Sequence, residues 1–319
     1  MCLRCLLCFS CIALAACGKE AVSLVSFREL SSPTREELTC IAFSDSLHGA
    51  LTGGRAWESG FVFHTSDGGN TWVQDTALNR KMEHVCFDPD GQGYACGQDL
   101  LLYRPPGEQV WQTFRVDFKK WNRACHFPGE KRGMIAGGEG YHGGFVRSFG
   151  PETFWQTDTL HDFPNEIESV WYSDFQTVHA AGFGWVMRSD DAGHSWQRLD
   201  ITGDFFQCVQ FADAHTGYIC GNSGTLLKTT DGGRNWKKIR QGGSVGQKRK
   251  GFRSLWFVDP GRGWVVGENG IFWETRDGGA TWQTVADVPP DADFTHVFVL
   301  GKKGWVTVRD GRLFEFEWE

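Results

Sequence analysis

The sequence predicts an all-β fold, a seven-bladed β-propeller of four-stranded antiparallel blades closed by an N-terminal strand. Three observations carry this. A motif recurs with a period near forty residues, the length of a four-stranded blade. The 319 residues include 41 Gly and 15 Trp, with few runs of strong helix formers. The last repeat stops one strand short of a full blade.

Four segments share the pattern Ser/Thr-x-Asp-x-Gly-x-Thr/Ser/Asn-Trp: Thr65 to Trp72, Ser189 to Trp196, Thr229 to Trp236 and Thr275 to Trp282. Asp67, Asp191, Asp231 and Asp277 hold one position, and Trp72, Trp196, Trp236 and Trp282 the other. Degenerate copies end at Trp111 and Trp155, with Pro106 and Gly150 at the Asp position. Successive Trp spacings are 39, 44, 41, 40 and 46 residues. The box is a structural unit: its Asp accepts bonds from nearby N–H groups, its glycines permit positive φ, and its Trp packs between sheets. A Trp fully removed from water there contributes about 4–6 kcal/mol before entropy.

Upstream of the boxes, an apolar strand and an Asp-containing turn lead into Gly-aromatic-x-x-Gly, as at Gly93 to Gly97, Gly217 to Gly221 and Gly263 to Gly267, with a looser copy at Gly49 to Gly53. Each unit reads strand a, turn, strand b, loop, strand c, Asp box, strand d. After Trp282, strands a, b and c fall at Phe294 to Val299, Trp305 to Val308 and Leu313 to Phe316, and the chain ends. The alternating Val22, Leu24, Ser26 stretch can supply the missing strand d and remove the open edges. Six blades and a frayed hairpin is the alternative.

Residues 1–16 read as a lipoprotein signal peptide, 17–21 as the anchored N-terminus and 22–319 as the propeller. Met1 and Arg4 precede an apolar run from Cys5 to Ala16, too short to span a bilayer. The run ends Leu14-Ala15-Ala16-Cys17-Gly18, which resembles the bacterial lipobox. That resemblance implies export and lipid attachment at Cys17, and Gly18 after it favours the outer membrane. Without Arg4 the mature chain holds 31 basic and 39 acidic side chains, a balance that disfavours a nucleic-acid binder. Six cysteines remain in the body: Cys40, Cys86, Cys96, Cys125, Cys208 and Cys220. They are read as disulfide partners or as small apolar core residues.

The box together with the Gly-aromatic strand resembles bacterial neuraminidase repeat (BNR, Asp-box) propellers, and more closely the photosystem II assembly and stability factor-like propellers. The second resemblance covers roughly residues 35–319 and rests on the Thr-x-Asp-Gly-Gly-x-x-Trp form at three sites. It implies a non-catalytic, often exported propeller that assists assembly of a membrane complex through protein contacts.

No motif marks catalysis. A sialidase on this scaffold would need an arginine cluster and a Tyr/Glu pair after a Phe-Arg-Ile-Pro start, and Phe27-Arg28-Glu29-Leu30 departs at its last two positions. A glycoside hydrolase or glycan-binding propeller is the alternative reading, but no feature selects a facing carboxylate pair. No catalytic residue, metal ligand or cofactor is assigned. His residues lack paired spacing, and Asp88-Pro89-Asp90-Gly91 reads as an a–b turn rather than a calcium loop.

In a propeller the d–a connections and b–c loops share one face, while the a–b turns and Asp boxes share the other. Sorting the sequence this way gives the first face Lys119, Lys120, Arg123, Lys248, Arg249, Lys250 and Arg253, with Arg55, Trp57 and Tyr141 on b–c loops. The expectation is one basic face with aromatic anchors, binding an acidic protein segment or membrane protein complex, or an anionic glycan.

Overall fold

The computed structural model describes residues 24–108, 110–115, 120–140, 142–150, 157–242 and 251–319. They form seven four-stranded antiparallel sheets. Six sheets are built from consecutive strands in the order a, b, c, d, and the seventh takes its outer strand from the other end of the chain. Among the described residues, no helix is long and apolar enough to cross a membrane.

The closing strand is Ser26–Leu30, paired with Leu313–Glu317 from Ser26 opposite Glu317 to Leu30 opposite Leu313. It starts at the last residue of the alternating stretch the sequence pointed to and takes in the Phe-Arg-Glu-Leu segment. Val25 adds one backbone bond to Glu317 O at 2.9 Å, and Val22 lies outside the described residues. Burial explains the placement. Phe27 stacks on Phe314 with ring centroids 5.1 Å apart, and the Arg28 guanidinium reaches the buried Glu315 carboxylate at 3.0 Å.

The Gly-aromatic motif owes its composition to two close approaches. Its first glycine lies on the ring that ends strand a of the same blade: a Cβ would come within 2.6 Å of Phe43 at Gly49, 2.7 Å of Phe211 at Gly217 and 2.4 Å of Phe257 at Gly263. The aromatic that follows stacks on the strand a ring of the next blade. Tyr94 lies parallel to Phe127 at 3.6 Å, and Tyr218 to Phe257 at 3.4 Å. Trp305 of the seventh blade closes the circle on Phe43 of the first at 3.9 Å. Tyr94, Tyr218, Trp264 and Trp305 are all buried.

The Asp boxes are closed local networks. Asp67 accepts the Thr65 hydroxyl (2.8 Å), the Thr71 N–H (2.9 Å) and the Thr71 hydroxyl (2.6 Å), while Thr65 Oγ1 accepts the Gly69 N–H at 2.9 Å. The same pattern surrounds Asp191, Asp231 and Asp277. Donors aimed at the ionised form hold the Asp67, Asp191 and Asp231 carboxyls at about 2, through Thr71, Ser195 and Asn235 respectively. Trp72, Trp196, Trp236 and Trp282 are only partly buried, so each contributes less than a fully buried Trp would. The rings of Trp72, Trp236 and Trp282 meet strand a of their own blade edge-on, as Trp236 does Phe211 at 5.8 Å, while Trp196 meets Phe163 of the preceding blade at 6.3 Å.

Blade two has lost the box and holds its Trp differently. Trp111 donates its indole N–H to Asp75 of blade one at 2.9 Å, lies beneath the Arg104 guanidinium, and is more buried than the box tryptophans. Asp75 also pairs with His64. In the degenerate box of blade three, residues 151–156, Trp155 among them, lie outside the described residues.

A chain that begins after Leu30 leaves the Leu313–Glu317 edge unpaired. Its expected thermal midpoint is lower by at least about 5 °C, with self-association visible in light scattering. A monomer with an unchanged midpoint would contradict closure by this strand.

Candidate functional site

Strand a is innermost in every blade, and the seven line a central channel: Leu38–Phe43, Met82–Phe87, Trp121–Gly129, Ile167–Tyr172, Phe206–Phe211, Phe252–Phe257 and Phe294–Leu300. Each begins with a one-residue β-bulge at the equivalent position, falling on Thr39, Glu83, Arg123, Glu168, Gln207, Arg253 and Thr295. A bulge re-aims one side chain, and all seven of these residues line a single funnel of about 380 Å³ at the channel mouth.

The cause lies on strand b. Opposite the bulge in six blades stands the second glycine of the repeated motif, or its counterpart: Gly53, Gly97, Gly137, Gly182, Gly221 and Gly267. A Cβ at Gly137 would lie 1.8 Å from Trp121 O, and one at Gly267 1.9 Å from Gly251 O. In five of the six, the carbonyl two residues before the bulge occupies the space a side chain would need, and at Gly221 the Asp204 carboxyl does.

Charges around the funnel alternate. Arg309 approaches Glu37 at 3.7 Å; Lys81 lies between Glu37 (3.0 Å) and Glu83 (3.6 Å); Arg123 lies between Glu83 (3.2 Å) and Glu166 (2.8 Å). Arg253 pairs with Glu268 and donates to Gln207 Oε1 at 3.1 Å. Glu168 has no direct ion pair among the described residues, and its environment pushes its carboxyl up to about 7. Burial is the main cause; Arg123 opposes it, and Glu166 and Glu83 reinforce it.

Below the mouth the channel narrows to a second cavity of about 180 Å³ that also meets His84 and His296. Its floor is aromatic: Trp256 packs on Phe298 at 4.6 Å and edge-on to Trp171 at 6.0 Å, and His126 lies 4.2 Å from Trp171. Burial lowers His84 to about 4, and His126 and His296 to about 3, so all three are neutral at pH 7.

The rim carries exposed aromatics. Trp57 is 50% exposed, meets Trp121 edge-on at 6.0 Å and lies beneath the Arg80 guanidinium. Arg123 covers Trp121 at 4.2 Å. At blades four and five, Phe183 and Phe205 make a second pair with centroids 5.0 Å apart.

Of the side chains the sequence singled out, Arg123 and Arg253 line the funnel and Trp57 stands on its rim. Arg55 is exposed and paired with Glu36 at 3.2 Å and Glu58 at 3.5 Å. Lys120 lies 3.4 Å from Asp162 and over the Phe145 ring. Lys119, Tyr141, Lys248, Arg249 and Lys250 lie outside the described residues. The mouth carries acidic residues among the basic ones expected. Glu37, Glu83, Glu166 and Glu168 line it beside Lys81, Arg123, Arg253 and Arg309, because sorting the d–a connections by face counted their basic residues and not the acidic ones beside them. The signal available was the charged or polar residue recurring just inside the start of each inner strand. On the opposite face, Asp88 accepts the Asp90 and Gln92 N–H groups, the Gln92 side-chain amide and the Tyr94 hydroxyl, so its carboxylate is used up by the turn.

This geometry can be set beside known proteins. A family model described as photosynthesis system II assembly factor YCF48 matches residues 247–315. The match spans the end of the chain, and over its full length the chain shares the propeller fold of solved YCF48 structures. The structure of YCF48 from Cyanidioschyzon merolae superposes with a TM-score of 0.70 at 19% identity, covering 91% of this chain and 98% of that one. A second YCF48 structure, bound to D1 peptide, gives 0.71 at 18% identity, with 94% and 98% covered. The WD40 repeats of RRP9 give 0.74 at 9% identity, with 95% of this chain and 100% of that one covered. The propeller shape is thus shared beyond YCF48. No curated protein matches the chain significantly.

Glu168 gives the funnel a pH signature. Its carboxyl titrates near 7 when folded and near 4.5 when unfolded, so the unfolded chain loses the proton first. Stability from this site is therefore lost as pH rises from about 4.5 to 7 and is level above that. Glu168→Gln should match the wild type in trend below pH 4.5 and gain on it up to pH 7. Because channel water moderates the burial, the gain should be ~1–3 kcal/mol, read from urea midpoints. A difference independent of pH would show that Glu168 ionises normally.

Proposed function

We propose that this chain is a non-catalytic scaffold that binds a peptide segment of a membrane protein at the channel mouth. The carrying observation is the funnel with its exposed aromatic rim. Trp57, Trp121, Arg80 and Arg123 form the kind of aromatic and arginine cluster that dominates protein interfaces. The alternating charges offer paired donors and acceptors to an extended backbone. Their mutual pairing also argues for binding over hydrolysis: Glu37, Glu83 and Glu166 are each engaged by Lys or Arg. The D1 peptide in the YCF48 complex supports a peptide as the ligand class.

The lipobox-like Leu14-Ala15-Ala16-Cys17 places this scaffold, in our reading, on the exported side of a membrane, anchored through acyl chains on Cys17, with Gly18 favouring the outer membrane. The anchor would keep the mouth close to a membrane-embedded partner.

Affinity purification from solubilised membranes, followed by mass spectrometry, should recover a reproducible membrane-protein partner. Trp57→Ala combined with Arg55→Glu should reduce its recovery by about tenfold or more while leaving the thermal midpoint within a few degrees. Undiminished recovery would move the interface away from this rim. In the same cells, Cys17→Ser should shift the protein from the membrane to the soluble fraction, and persistence at the membrane would refute acylation at that residue.

A further inference from the structure

His84, Cys86 and Cys125 meet at the junction of blades two and three, below the charged funnel. His84 and Cys86 are two apart on one strand, so their side chains leave the same face, and Cys125 comes from strand a of the next blade. Cys86 Sγ and Cys125 Sγ are 3.5 Å apart, and Cys125 Sγ is 3.5 Å from His84 Nδ1. The three donor atoms all lie within 4.8 Å of one another. Around a tetrahedral zinc ion, bond lengths of about 2.3 Å to sulfur and 2.0–2.1 Å to nitrogen put neighbouring donors roughly 3.5–3.8 Å apart. The side chains therefore need almost no movement to surround such an ion. All three also line the lower channel cavity, and His84 borders the funnel above it as well, which gives an ion a path in.

We propose that His84, Cys86 and Cys125 form a tetrahedral site for a zinc-type divalent cation, with the fourth position open to the channel. Two thiolates and one imidazole suit this class of ion, whereas an all-oxygen site would suit magnesium or calcium. On binding, each thiol gives its proton to solvent and its sulfur lone pair to the metal. The ion joins the inner strands of adjacent blades and adds a Lewis-acidic point beneath the funnel, where a side chain or carboxylate of a bound peptide can reach it. A second triple, Cys40, His84 and His296, shares His84, and the experiment separates the two.

The test uses the full chain with Cys2, Cys5, Cys8, Cys11 and Cys17 changed to Ser, reduced and stripped of metal. Cobalt(II) titration should bring up a thiolate-to-metal charge-transfer band and tetrahedral visible bands, saturating at one equivalent and bleached by Zn2+. Cys86→Ser, Cys125→Ser and His84→Gln should each weaken binding by about 100-fold or more, while Cys208→Ser leaves it unchanged. The proposal is overturned if the parent chain shows no charge-transfer band at saturating cobalt, an outcome that does not depend on any variant folding. It is also overturned if Cys40→Ser and His296→Gln abolish the band while Cys86→Ser and Cys125→Ser keep it, or if the chain binds only Cu+. Reduction-resistant joining of Cys86 to Cys125 as a disulfide, with no cobalt bound, would replace the metal site by a covalent staple.

Discussion

The structure depends on a backbone constraint repeated in six of its seven blades: a glycine on strand b facing a bulge on strand a. At five of these glycines a Cβ would run into the carbonyl two residues before the bulge, as the 1.8 Å approach at Gly137 shows, while the seventh blade sets Val308 opposite its bulge. The bulge in turn directs one side chain per blade into the channel mouth. A single local steric rule thus shapes both the inner wall of the propeller and its chemistry. The scaffold residue is nearly fixed, while the bulged residue is free to vary, and it does so from Thr39 and Gln207 to Glu83 and Arg253.

A second contact holds blades to one another. The ring that ends strand a receives the strand b aromatic of the preceding blade and leaves no space for a side chain at the glycine beside it. This dispersion-rich stacking makes each blade the support of the next, so an unclosed ring would leave one blade unsupported. The Ser26–Leu30 strand completes the arrangement by covering the last edge with Phe27 and Arg28. The Asp boxes act on a smaller scale, each satisfying its own turn, and blade two shows that the box is replaceable. There Asp75 of the neighbouring blade holds the Trp111 indole.

The channel changes character with depth, from alternating charges, through a His and Cys layer, to an aromatic floor. Strands that alternate faces present every second residue inward, so each layer draws one residue from equivalent positions in different blades. The charged layer satisfies itself by pairing, which keeps ionised groups inside a narrow funnel without a large net field. Glu168, without a direct ion pair among the described residues, is the exception, and burial raises its carboxyl. The aromatic rim, with Trp57 half in water, supplies apolar area that the charges do not.

The sequence by itself determined the blade count, the strand order within each blade, the box residues and the closure by an N-terminal strand. Those features rest on local pattern, a forty-residue period and short-range turn chemistry, and local pattern is written along the chain. Arg123, Arg253 and Trp57 were legible as members of one face for the same reason, since loop position alone assigns the face. Only the tertiary structure decided what stands opposite them. Glu83 meets Arg123 from the neighbouring blade, Trp121 meets Trp57 from two blades on, and Cys125 meets His84 and Cys86 across a blade junction. These partners lie about forty or more residues apart, and their encounter is set by the bulge register and the curvature of the ring, geometric quantities that no spacing within one repeat encodes.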